Sequence, residues 1–193
     1  MGKKVLVILG HPDKESFCAA LARAYAEGAR MSGAEVTSVN ISDLRFDPVL
    51  HKGYKVIQEL EPDLVMMQEK IKASDHIVFV YPTWWGAMPA LLKGLMERIM
   101  LPGFAYRFHD NGMGWDKYLK GKSARLIVTM NSPVLVYKLF FGSVGDKLLK
   151  SAILAFCGVS PVKITHIDSV EKLSKEKLAE WISKIGNLGR TLK

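Results

Sequence analysis

From His76 to Tyr81 the chain is rich in β-branched and aromatic residues and apolar at nearly every position. A strand with one wet face would alternate, so this pattern predicts a central parallel strand covered on both sides. The strand runs directly into Tyr81-Pro82-Thr83-Trp84-Trp85-Gly86-Ala87-Met88-Pro89-Ala90-Leu91-Leu92-Lys93-Gly94, an aromatic loop followed by a helix. In open α/β sheets ligands bind beyond the carboxyl ends of the strands, where strand order reverses. The paired tryptophans stand at that end.

The rest of the chain alternates in the same way. Val5 to Leu9 reads as the first strand, followed by the turn Gly10-His11-Pro12-Asp13 and a helix carrying Phe17, Leu21, Ala24 and Gly28 at helical spacing, with Ser16 as its N-cap. Glu35 to Asn40 is a second strand, and Ile41 to Leu60 is a long connection of the kind that is usually functional or an interface. Glu61-Pro62-Asp63 opens the next helix, and another spans about Ala90 to Met100. Arg125 to Thr129 is the fourth strand, Gly145 to Phe156 a helix, Val162 to Ile167 the fifth strand, and Ser174 caps a last amphipathic helix. The expectation is one α/β domain over residues 1–193, a doubly wound five-stranded parallel sheet of order 2-1-3-4-5 with helices on both faces. Ligand contacts then belong to the loops Gly10 to Cys18, Tyr81 to Pro89 and Thr129 to Tyr137.

A length of 193 residues suffices for a core without disulfides, and Cys18 and Cys157 have neither metal-ligand spacing nor obvious partners, so they read as reduced thiols and no metal is expected. The apolar run after Lys4 is too short for a signal peptide or a span, which predicts a soluble cytoplasmic protein without membrane insertion. The net charge of +8 is spread along the chain, with no basic run and no RNA-type aromatic motif. It argues against a nucleic-acid partner and is compatible with anionic ligands such as nicotinamide dinucleotides.

Each loop supplies what one part of a flavin needs. The start of the first helix, with His11, Ser16, Phe17 and Cys18, offers amides and a positive dipole end to a phosphate. Pro82, Thr83, Trp84, Trp85 and Gly86 offer a flat wall and backbone donors to an isoalloxazine ring, whose pyrimidine edge gains charge on reduction. Thr129, Met130, Asn131 and Ser132 offer small polar groups to the remaining edges, and Tyr137 is placed to approach the reacting end as a catalytic donor.

Gly10-His11-Pro12 with Ser16-Phe17, Phe46-Asp47-Pro48, Gln68 with Ala73-Ser74-Asp75, the Tyr81 to Gly94 stretch with Glu97-Arg98, and Phe104-Ala105-Tyr106 together resemble the NAD(P)H:quinone oxidoreductases of the flavodoxin-like fold. These are the DT-diaphorase type, with short bacterial members and ancillary subunits of potassium efflux systems. The resemblance implies a homodimer, one noncovalent FMN or FAD per subunit, NAD(P)H as hydride donor, a quinone-like acceptor, and a pocket walled by Phe104 and Tyr106. It leaves two alternatives, a flavin-binding regulatory subunit docked on a transporter and a one-electron carrier. Two departures stand out: Thr129-Met130-Asn131-Ser132 replaces the family's frequent Thr-Thr-Gly-Gly, and Cys18 stands where many relatives have asparagine.

Overall fold

The computed structural model describes residues 2–192. In chain order its strands are β1 (Lys4–Leu9), β2 (Glu35–Asn40), β3 (His76–Pro82), β4 (Tyr106–Phe108), β5 (Trp115–Lys117), β6 (Ser123–Thr129) and β7 (Val162–Ile167). The helices are α1 (Phe17–Met31), α2 (Pro62–Ala73), α3 (Ala90–Ile99), α4 (Val134–Phe140), α5 (Val144–Lys147) and α6 (Lys175–Thr191). Five strands form one parallel sheet in the order β2-β1-β3-β6-β7, the doubly wound arrangement that the alternation predicts.

All seven residues of β3 are buried, because the strand lies between two cores. The period of two sends Val78 and Val80, with Val5, Val7 and Leu9 of β1, to one face, where Leu21 and Tyr25 of α1 and Ile185 of α6 meet them. Ile77 and Phe79, with Leu6 and Ile8, point to the other face and pack on Leu64 of α2 and on Leu92 and Leu95 of α3. Each such side chain contributes about 1.5–3 kcal/mol by leaving water. Register in the centre of the sheet is therefore strongly specified, since a one-residue slip would exchange the two cores.

Ser16 caps α1, its Oγ accepting from the Ala19 amide at 3.3 Å, and Ser174 caps α6 in the same way through Lys177. The connection from residue 41 to 60 is held by Arg98 of α3, which is fully buried and donates to Glu61 Oε2 at 2.9 Å, to Glu59 O at 3.0 Å and to Asp47 O. Gln68 is a satisfied amide that donates to Ile99 O at 2.9 Å.

Three features depart from the pattern read in the sequence. The third loop is short, because α4 begins at Val134, whose amide donates to Asp168 Oδ2 at 2.7 Å after the turn-breaking Pro133. The helix expected from Gly145 starts at Val144 and continues with π-helical hydrogen bonding over Leu148–Ala155. The antiparallel β4–β5 hairpin has strands of only three residues, too short to display a period.

Candidate functional site

The loops after β1, β3 and β6 meet at one end of the sheet and enclose a cleft of about 230 Å³. Its walls include His11, Ser16, Phe17, Cys18, Pro82, Thr83, Trp84, Thr129, Met130 and Asn131. Ten of the residues singled out in the sequence are thus brought together. Ladder hydrogen bonds that run past the strand ends fix the loops: Gly10 N donates to Val80 O at 2.8 Å, Thr83 N to Thr129 O at 2.7 Å, and Met130 N to Ile167 O at 2.9 Å.

At the first loop His11 Nδ1 accepts from the Asp13 amide at 2.9 Å, which fixes the tautomer with the proton on Nε2 and makes that nitrogen a donor. Trp84 stands edge-on to the His11 ring with centroids 5.5 Å apart. The first turn of α1 carries no acidic side chain, so its positive end and its leading amides are left to an external anion. The Cys18 thiol turns inward to Thr129 Oγ1 at 3.2 Å, both residues being buried, and pins the first loop to the third. Burial pushes that thiol up to about 11, against the weaker opposing effect of the Thr129 hydroxyl, so it is neutral at physiological pH. Of Cys18, only the backbone amide is left to face an external anion.

The second loop is a tight turn in which Trp84 and Ala87 exchange backbone hydrogen bonds of 2.9 and 3.0 Å. The Trp84 amide is spent there, so the donors this loop offers are those of Trp85 and Gly86. Trp85 takes a left-handed backbone, φ 50°, and its indole is fully exposed. The left-handed turn thus separates the two rings, Trp84 lining the cleft and Trp85 standing in the open. Trp85, Gly86 and the exposed Ser132 lie beside the cleft and do not line it.

Tyr137 requires a correction. It lies on α4 and not in a loop, and it is buried. Its hydroxyl donates to Gly86 O at 3.3 Å and accepts from the amides of Gly145 and Asp146 at 3.0 and 3.2 Å. Every bonding position of the phenol is used to clip the tryptophan loop to α5, so it is a positioning residue and presents no proton to a bound molecule. Behind it Asp146 Oδ2 meets His166 Nε2 of β7 at 2.9 Å, a pair that the sequence did not reveal because its members lie on separate elements.

Phe104 and Tyr106 also lie away from the cleft. Tyr106 faces Phe108 and Phe156 edge-on, at 5.3 and 5.1 Å, along a second groove lined by Tyr54, Met96 and Met100. Phe104 packs against the core beneath. The cleft has a fourth wall that the sequence reading missed, Val170 and Glu171 after β7. Glu171 Oε1 accepts from Asn131 Nδ2 at 2.6 Å, and Val170 N donates to Met130 O at 3.2 Å. The rule that placed the other loops, at the carboxyl ends of strands, would have included this one.

Residues 3–188 match the family model described as flavodoxin-like fold. A mouse protein named ribosyldihydronicotinamide dehydrogenase [quinone] is 29% identical over 97% of this chain and 92% of its own length. Among solved structures, an NAD(P)H:quinone oxidoreductase from Methanothermobacter marburgensis shares the fold over the whole of both chains, with TM-score 0.85 at 18% identity. An FMN-dependent NADH-azoreductase from Bacillus anthracis, solved in complex with FMN, shares it over 98% of this chain and 99% of its own, with TM-score 0.74 at 20% identity. The chain belongs to the flavodoxin-like fold family.

Proposed function

We propose that the chain is a flavin-dependent NAD(P)H:quinone oxidoreductase, with FMN as the noncovalent cofactor and FAD as the alternative. The observation that carries this reading is the convergence of a capped helix start, an aromatic wall and a hydroxyl-bearing strand end on one cleft at the switch point of the sheet. These residues fit a flavin, because a positive helix end without a carboxylate and a flat indole stand in the same opening. The oxidoreductase relatives support the same chemistry.

When bound, the flavin supplies the redox step, taking a hydride from the nicotinamide and passing two electrons to the acceptor. The amides of Phe17 and Cys18 hold its phosphate, and His11 Nε2–H donates to a phosphate or ribityl oxygen. Trp84 would wall the ring and exclude water, and the free amides of Trp85 and Gly86, beside the cleft, would be the donors within reach of its pyrimidine edge. Nucleotide and quinone use the open side in turn, a ping-pong sequence. In a homodimer the second copy's groove around Tyr106 completes that pocket.

An anaerobic visible spectrum of the protein reconstituted with FMN tests the reading. Bleaching of the flavin band by NADH or NADPH and its return on adding a benzoquinone are expected. Bound flavin that neither nucleotide reduces would reject the enzyme in favour of a regulatory subunit, and failure to bind FMN or FAD would reject the site.

A further inference from the structure

β7 is an edge strand, paired only with β6. The hydrogen bonds at its two ends, from Ala124 N to Pro161 O and from Met130 N to Ile167 O, both 2.9 Å, show that the odd-numbered residues face β6. A strand repeats every two residues, so Val162, Ile164 and His166 turn their amides and carbonyls away from the sheet. The same three residues line a groove of about 700 Å³ between the strand edge and the helical segment that carries Lys147 and Lys150. A row of outward donors and acceptors of this kind is a template for another strand.

The groove is also basic. Lys138, Lys147, Lys150 and Lys163 line it, and none of the four forms an ion pair among the described residues. Asp146, the carboxylate among the lining residues, is buried and engaged with His166 Nε2 at 2.9 Å. Charge and backbone together select the occupant. A phosphate-bearing molecule answers the lysines and the amides and leaves the carbonyls unmet, because it has no donor for them. A second copy paired edge to edge answers the backbone and sets lysine against lysine. An extended chain with carboxylate side chains answers amides, carbonyls and lysines at once. We propose that the open edge of β7, with Lys147, Lys150 and Lys163 beside it, is a docking site for an acidic, extended segment of a partner protein, which adds to the sheet as a sixth strand. The edge shares no lining residue with the cleft or with the groove around Tyr106, so a second copy seated over the cleft does not need it. Nor does the docking site depend on the flavin reading.

Fluorescence anisotropy of the full chain with a labelled peptide tests this, the peptide alternating glutamate and valine over the six residues that β7 spans. Saturable binding is expected, weakened by salt beyond the physiological range. The same peptide with every amide N-methylated keeps its charge and cannot donate, and it should bind at least about tenfold more weakly. The triple variant Lys147→Gln/Lys150→Gln/Lys163→Gln should weaken binding of the unmodified peptide on the order of tenfold, with unchanged circular dichroism. No binding, equal binding of the N-methylated peptide, or undiminished binding by the triple variant would overturn the proposal. So would tighter binding of inorganic pyrophosphate than of the peptide, which would assign the groove to a phosphate-bearing ligand. A fall in sedimentation coefficient when the peptide is added would overturn it too, because the edge would then be held by a second copy.

Discussion

The polar side chains buried at the two ends of the sheet do different work, and substitution separates them. At the amino end, His76 lies between Tyr25 Oη at 3.1 Å and Ser123 Oγ at 2.8 Å. Burial, reinforced by the cations of Lys3, Arg125 and Lys163, lowers its pKa from 6.5 to about 4. A buried imidazole kept neutral while the unfolded chain protonates means that the unfolded state binds more protons over this range. Its contribution is therefore complete above pH 6.5 and is lost as pH falls toward 4, by about 3 kcal/mol in all. Urea unfolding between roughly pH 7 and pH 5 should show this slope in the wild type and most of it removed in His76→Gln; equal slopes would assign the acid sensitivity to other groups. At the carboxyl end, the Tyr137 phenol is raised by burial and by nearby Asp146, and it stays protonated as the clip between Gly86 and α5. Tyr137→Phe leaves the amides of Gly145 and Asp146 without their acceptor, at a cost of about 2 kcal/mol. It should also weaken FMN binding severalfold by loosening the tryptophan loop, read by fluorescence titration. Lower turnover with stability and FMN affinity intact would instead return the hydroxyl to the chemistry. The sequence spacing led to the catalytic expectation because it showed that Tyr137 is near the site, while burial and partners, which decide its role, depend on α4.

Elements that bury a whole face were legible in the sequence, and elements that depend on neighbours were not. The five parallel strands, α1 with its Ser16 cap and α6 with its Ser174 cap each carry a period or a cap within a few residues. Ten cleft residues followed from the strand ends by the switch-point rule. α4 did not, because its outward apolar face inverts the usual pattern and its start is fixed by Asp168, more than thirty residues further on. Val170 and Glu171 were missed for want of applying the same rule to the fifth strand. The packing of α1 on α6 was equally hidden. There Gly28 approaches Gly186 so closely that a β-carbon would lie 2.0 Å from the Gly186 carbonyl oxygen, and one on Gly189 would lie 2.2 Å from Tyr25 O. Both obstacles are backbone, which no rotamer change relieves. Gly189→Ala must push the helices apart and should cost about 2–3 kcal/mol. Thermal unfolding with a Tm close to the parent's would show that α6 can shift without loss. Since α1 also carries the candidate phosphate site, the same variant should weaken FMN binding.

At the scale of the molecule the exposed apolar surface falls into two parts. One is the apolar face of α4, with Lys138, Lys147, Lys150 and Lys163 along a groove on one side of it. The second part comprises Val49, Tyr54, Val56 and Ile57 of the long connection, with Phe108 and Met113 of the hairpin, all more than half exposed. It borders the groove around Tyr106, and no comparable cluster of lysines lines that groove, where Lys93 is paired with Glu97. A two-fold contact there would cover these apolar side chains and bring the Tyr106 groove of one copy toward the cleft of the other. If the chain dimerises as proposed, this second face is the one expected to carry the contact. The consequence can be measured separately from flavin binding. Ile57→Asp and Phe108→Asp each put a charge into the contact and should turn a dimer into a monomer in the analytical ultracentrifuge. The monomer should keep FMN with little change in affinity and lose most of its quinone turnover, since its acceptor pocket then has one side. A wild-type protein that sediments as a monomer, or a monomeric variant with full turnover, would show that the cleft works alone. The Tyr106 groove would then have no part in the reaction.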